Sequence, residues 1–179
     1  MSAQKILVTG GVRSGKSRHA EALFADAPRV TYLAPGGLPD PEVDPEWAAR
    51  IAQHRARRPA HWTTVETRDI AGALRRAEDP VLIDCLGTWL TGTIDELGTW
   101  DQPLGEWRPV FEASLADLVA AWSQAPGMVV AVTNEVGWGL VSEHRSGRIF
   151  TDLLGRVNAE IAAVSDRVTL VIAGRTLHL

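Results

Sequence analysis

A chain of 179 residues, 45% of them hydrophobic, is long enough for one domain with a substantial core, here expected to span residues 1–179. The formal net charge of −4 argues against a nucleic-acid partner, and the single cysteine, Cys85, excludes an internal disulfide and fits a reducing cytoplasm. No apolar run approaches the ~18 residues of a membrane span, and the apolar stretch in "MSAQKILVTGG" is too short for a signal peptide.

In chain order, a strand at Lys5–Thr9 leads into a helix at Lys16–Ala25. A strand at Arg29–Ala34 and a Pro/Gly/Asp-rich loop at Pro35–Pro45 come next. A helix is expected at Glu46–Arg57, a strand at Thr63–Glu66, a helix at Ile70–Ala77 and a strand at Pro80–Cys85. Helices at Leu86–Leu97 and Trp107–Ser123 flank a second loop, Gly98–Trp107. A strand at Met128–Thr133, a helix at Arg145–Val164 and a strand at Arg167–Ala173 complete the pattern. Most of the strands are continuous apolar runs, as in strands covered on both faces. The alternation predicts an α/β fold with a mainly parallel sheet and helices on both faces. The seven tryptophans are assigned to packing.

Directly after the first strand, "GGVRSGKS" matches G-x-x-x-x-G-K-[ST]. Gly10, Gly11, Val12, Arg13, Ser14 and Gly15 would curl so that successive N–H groups face a phosphate. The start of the next helix adds its partial positive charge. Lys16 would reach the β- and γ-phosphates, and Ser17 would hold Mg²⁺ through its hydroxyl. The motif between strand and helix makes the expected fold a P-loop NTPase of the RecA-like kind. Such sites use a carboxylate at the end of another strand to anchor the magnesium shell. "VLIDCLG" offers Asp84, which is otherwise an ordinary polar strand end.

A second constellation lies in "AARIAQHRARRPAHW", where four arginines and two histidines fall within fifteen residues. Helical spacing puts Trp47, Arg50, Ile51 and His54 on one face. Arg55, Arg57 and Arg58 follow, and Pro59 ends the helix. The cluster suits a bound phosphate, with His54 as nucleophile or proton donor; a histidine on a solvated basic helix is the plainer alternative. His19, His61, His144 and His178 match no metal-ligand spacing. A third block, "VTNEVGWGLVSEHR", sets Thr133, Asn134 and Glu135 at the carboxyl end of a strand, where open α/β sheets bind ligands. Gly137 and Gly139 predict a loop that curls close to something.

The strings "ILVTGGVRSGKSRHAEALF", "RIAQHRARRPAHW" and "VVAVTNEVGWGLVSEHRSGRIFTDLLGRVNAEIA" together closely resemble the bifunctional adenosylcobinamide kinase/adenosylcobinamide-phosphate guanylyltransferases of cobalamin biosynthesis. The resemblance runs over nearly the whole chain. It implies phosphorylation of adenosylcobinamide by a nucleoside triphosphate, ATP or GTP. Transfer of GMP from GTP to that phosphate then follows, through a covalent histidine intermediate. The matching histidine is His54. The resemblance also implies nucleotide contacts at Pro35, Gly36 and Gly37, at Arg55, Ala56, Arg57 and Arg58, and at Glu66 and Asp84. These two carboxylates would bind guanine N–H groups or Mg²⁺. A homotrimer with sites near subunit boundaries is implied as well.

Three departures stand out. The loop Pro35–Pro45 is longer than its family counterpart. Asp84 stands where the family often has glutamate, and Gln53 replaces a histidine that often precedes the nucleophile. The segment "TGTIDELGTWDQPLGEWRPV" corresponds least. Two other readings are a P-loop kinase of another small alcohol and a nucleic-acid-associated RecA-like ATPase. Net charge and the lack of an extended basic face weigh against the second.

Overall fold

Among the described residues, seven strands form one sheet in the order β3-β2-β4-β5-β1-β6-β7. The structure, a computed structural model, describes residues 3–37 and 41–179. Met1, Ser2 and, within the expected loop, Leu38, Pro39 and Asp40 lie outside the described residues. The strands are β1 (Lys5–Gly10), β2 (Thr31–Ala34), β3 (Thr63–Glu66), β4 (Val81–Asp84), β5 (Val129–Val132), β6 (Arg167–Ile172) and β7 (Arg175–His178). The helices are α1 (Lys16–Ala22), α2 (Pro45–Arg57), α3 (Ile70–Arg76), α4 (Leu86–Leu97), α5 (Leu104–Gln124) and α6 (Arg145–Ala163). β1 to β6 pair in parallel, and β7 adds antiparallel to β6.

The sheet separates two apolar layers. Leu7 of β1 joins one layer with Leu33, Ile83 and Ala131 under α3, α4, α5 and α6. Its neighbours Ile6 and Val8 join the other, with Tyr32, Leu82, Val130, Ala20 of α1, Phe24 and Trp62. Strand geometry dictates this division, because successive side chains point to opposite faces. β1 and β5 are buried along their whole length, which explains their unbroken apolar sequences. β3 departs from that pattern. All four of its residues are exposed, and Trp62 just before it supplies the apolar anchor.

Two sequence expectations need correction. The loop expected over Gly98–Trp107 ends at Pro103, because Leu104 already packs against the core and opens α5. The last strand does not run through Ala173. Ala173 and Gly174 both take positive φ, 50° and 78°, the backbone of a two-residue hairpin turn. The chain reverses there and forms β7, whose four exposed residues carry no burial signal in the sequence.

Among the described residues, no helix is long and apolar enough to cross a membrane.

Candidate active site

The site lies along the carboxyl ends of β1, β4 and β5. Gly10 closes β1 against β6, where a Cβ would lie 2.4 Å from the Val171 carbonyl oxygen. Only glycine permits that approach. Gly15 turns with φ of 97° into α1. Behind the loop, the Gly174 N–H donates to the Ser14 carbonyl at 2.8 Å, so the β6–β7 turn braces the cradle. Lys16 is buried, and its Nζ donates to the Gly11 carbonyl at 3.1 Å. Burial pushes the Lys16 ammonium pKa down; Arg50 adds to this, while Asp84 opposes it.

The "VTNE" block supports the cradle from below. Thr9 Oγ1 donates to Glu135 Oε1 at 2.6 Å, and the Glu135 N–H donates to the Gly10 carbonyl at 3.2 Å. Thr133 Oγ1 bonds Asn158 Oδ1 at 2.6 Å, and Asn158 Nδ2 donates to the Asn134 carbonyl at 3.0 Å. Thr133 and Glu135 are therefore bracing residues, and Asn134 is the member that faces the pocket. The following loop leaves Trp138, Leu140 and Val141 exposed.

α2 forms the opposite wall. Asp44 caps it by accepting from the Trp47 N–H at 2.8 Å, and Pro45 takes the first helical position. The helix buries none of its residues. The face expected from its spacing, Trp47, Arg50, Ile51 and His54, does line the pocket. Its arginines are less free than the sequence suggests. Arg55 pairs with Glu66, Arg57 with Glu21 at 3.2 Å, and Arg58 donates to Thr64 Oγ1 at 3.0 Å. The Arg58 guanidinium also lies 3.5 Å from the centre of the Tyr32 ring. Much of the basic cluster thus holds α2 to β3 and α1.

Asp84 joins the two walls. Its Oδ2 accepts from the Tyr32 hydroxyl at 2.9 Å and sits 3.6 Å from His54 Nδ1. Ser17 lines the same pocket as this carboxylate. Burial alone would raise the Asp84 pKa, but the contacts from His54, Tyr32 and Ser17 outweigh it and hold the carboxyl below its ordinary range. Burial, then the Asp84 charge, pushes the Tyr32 phenol upward.

These walls enclose a narrow pocket of about 60 Å³ and a wider cleft of about 1040 Å³; Lys16, Ser17, Trp47, Arg50 and His54 line both. Of the residues expected from sequence, Gly36, Gly37, Arg55, Arg58, Glu66 and Asp84 also line the pocket. Arg13, Ser14, Gly15 and Arg57 line the cleft. Gly10 is buried beneath, Gly11, Val12 and Ala56 are exposed and Pro35 is buried, and these five line neither space. Sequence reasoning passed over Tyr32, Trp47 and Thr88 as site residues. Trp47 carried a signal, since it shares the helical face of His54. Tyr32 carried none, being one apolar position within a strand.

Ser17 and Asp84, the expected magnesium ligands, line the same pocket and offer the hard oxygen donors that ion takes. Donor atoms of Glu21, His54 and Asp84 also lie within 4.8 Å of one another.

A glycine cradle on a buried strand, a lysine folded into it and a strand-end carboxylate on the same pocket as its serine define a P-loop nucleotide-binding fold of the RecA-like kind. In agreement, the chain is similar to a solved structure of a prototypical ATPase from the type III secretion system of pathogenic bacteria. The TM-score is 0.52 at 15% identity, over 93% of this chain and 50% of that one. The model of the family described as cobinamide kinase / cobinamide phosphate guanyltransferase matches residues 6–179, and the chain belongs to this family. Its relatives include two proteins named bifunctional adenosylcobalamin biosynthesis protein CobU. That of Salmonella typhimurium is 44% identical and that of Escherichia coli 43%, each over 94% of this chain and 96% of the relative. The Pseudomonas aeruginosa protein of the corresponding name, CobP, is 36% identical over 97% of this chain and 95% of its own.

Proposed function

We propose that this chain phosphorylates adenosylcobinamide with a nucleoside triphosphate and then, as a guanylyltransferase, converts the product to adenosylcobinamide-GDP with release of pyrophosphate. The observation that carries this reading is the presence of His54 on the same cleft as Lys16 and Ser17. A kinase of another alcohol would leave that imidazole without a task.

In the first reaction the loop N–H groups and Lys16 would bind the β- and γ-phosphates, offsetting charge as the γ-phosphoryl group moves to the substrate hydroxyl. Mg²⁺, held by Ser17 and Asp84, would add neutralising charge between the phosphates. In the second, the imidazole of His54 attacks the α-phosphorus of GTP and pyrophosphate leaves into the cradle. Arg50 and Lys16 flank the developing charge. The cobinamide phosphate then takes GMP from the histidine. Glu66 and Asp84 are carboxylates able to accept from guanine N–H groups. Cytoplasmic location, supported by the single cysteine, and homotrimeric assembly, implied by the family resemblance, belong to the same proposal.

The test uses GTP labelled at the α-phosphate. Wild-type protein should retain acid-labile, base-stable label after denaturation, and His54→Ala should retain none while still phosphorylating cobinamide. Equal labelling of the His54→Ala protein overturns the assignment.

A further inference from the structure

We infer that Asp84 is the positioning residue for His54: it accepts from the Nδ1–H, fixes the ring tautomer, and leaves Nε2 as the atom that takes up GMP. This rests on the histidine-intermediate reading above and adds the nitrogen and the residue that selects it.

A neutral imidazole has one N–H and one lone pair, and the partner of one nitrogen decides which is which. The partner here is a carboxylate, which only accepts, with Oδ2 3.6 Å from Nδ1. That separation is longer than a hydrogen bond, as is common for catalytic pairs before substrate arrives, and on this inference it closes when the nucleotide binds. The carboxylate is itself fixed. Tyr32, 1% exposed in the sheet, donates to the same Oδ2 at 2.9 Å. A chain Tyr32–Asp84–His54 therefore runs from the rigid sheet to a helix that buries none of its residues. It sets the ring angle that the helix alone leaves loose.

The chemistry balances on this arrangement. The Nε2 lone pair forms the P–N bond, the bond from the α-phosphorus to the bridging oxygen breaks, and that electron pair departs with pyrophosphate. The ring becomes cationic, keeps its Nδ1 proton, and faces the Asp84 charge. When the acceptor phosphate oxygen attacks, the P–N bond breaks and its pair returns to Nε2. No proton enters or leaves the ring in either half.

The experiment treats the full-length protein with GTP, denatures it in base, and reads the ring position of the adduct by ¹H–³¹P correlation NMR. GMP on Nε2 of His54 is expected. GMP on Nδ1 overturns the inference while leaving the histidine intermediate standing; absence of any histidine adduct overturns the intermediate itself. Tyr32→Phe tests the chain. Its kcat for guanylyl transfer should fall roughly tenfold more than its kcat for phosphorylation, the scale of outer-shell orienting partners, with GTP KM little moved. Equal falls in both reactions, or none, overturn the role of Tyr32.

Discussion

α1 and α2 face each other across one cleft and are held by opposite means. α1 sits on the sheet, with Lys16 and Ala20 buried and Phe24 just beyond it in the core. α2 buries no residue and is tied by Arg55–Glu66, Arg57–Glu21, Arg58–Thr64 and the His54–Asp84 contact. A buried Phe contributes about 1.5–3 kcal/mol through burial, while an exposed ion pair is worth about 0–1 kcal/mol. The division follows the two chemistries. A phosphate cradle needs donors held in place before the nucleotide arrives. In the proposed reaction a group-carrying histidine meets first a nucleotide and then an acceptor, and an element of low local stability suits that task.

The widest gap should come from deleting one aromatic on each side. Phe24 is 1% exposed and packs edge-on to Trp62 at 6.0 Å, so Phe24→Ala should destabilise by about 3–5 kcal/mol in denaturant titration. Trp47, half-buried on α2, should cost less than about 1 kcal/mol as Trp47→Ala. Equal losses would erase the distinction. Next in size is the opening of each element without mutation. Amides of α2 should exchange at least about 100-fold faster than those of β1 and β5, measured by native-state hydrogen exchange. Comparable protection would place α2 in the same cooperative unit as the sheet. Within the cradle wall, Gly10→Ala drives a methyl toward the Val171 carbonyl and should cost about 1–3 kcal/mol, read from the denaturation midpoint.

The two regions also differ in how far the sequence discloses them. The cradle is contiguous: strand, glycine loop, lysine and helix occur in one run, and a short pattern captures the geometry. The face of α2 was legible because helical spacing alone brings Trp47, Arg50, Ile51 and His54 together. What tethers that helix was not. Glu21, Glu66 and Thr64 are surface residues of other elements, and nothing in a surface charge names its partner. The Tyr32–Asp84 bond spans 52 positions and depends on β2 lying next to β4, which is a fact of strand order. Similarly, β5 was evident from its apolar run, whereas β7 depends on the two-residue reversal at Ala173–Gly174 and on pairing with β6.

The smallest effect is the most specific test of a helix held by charge. Arg57 and Glu21 are paired at 3.2 Å with side-chain exposures of 38% and 15%, so solvent screens the attraction. Arg57→Ala should therefore lower stability by less than about 1 kcal/mol, a shift of roughly 2–4 °C at most in thermal melting. The same loss shifts α2 away from its docked position by up to about fivefold, since ~1.4 kcal/mol is a factor of ten. On the proposed reading, guanylyl transfer depends on where α2 holds His54 and phosphorylation on the cradle, so the ratio of the two rates should fall in the variant. Added salt should lower the same ratio in the wild type, because the screening length shrinks from about 10 Å at 0.1 M to about 3 Å at 1 M. Because Arg57 is one of the tethers, salt should lower it less in Arg57→Ala. A ratio that salt leaves untouched in both proteins would mean that α2 is held by something other than its ion pairs.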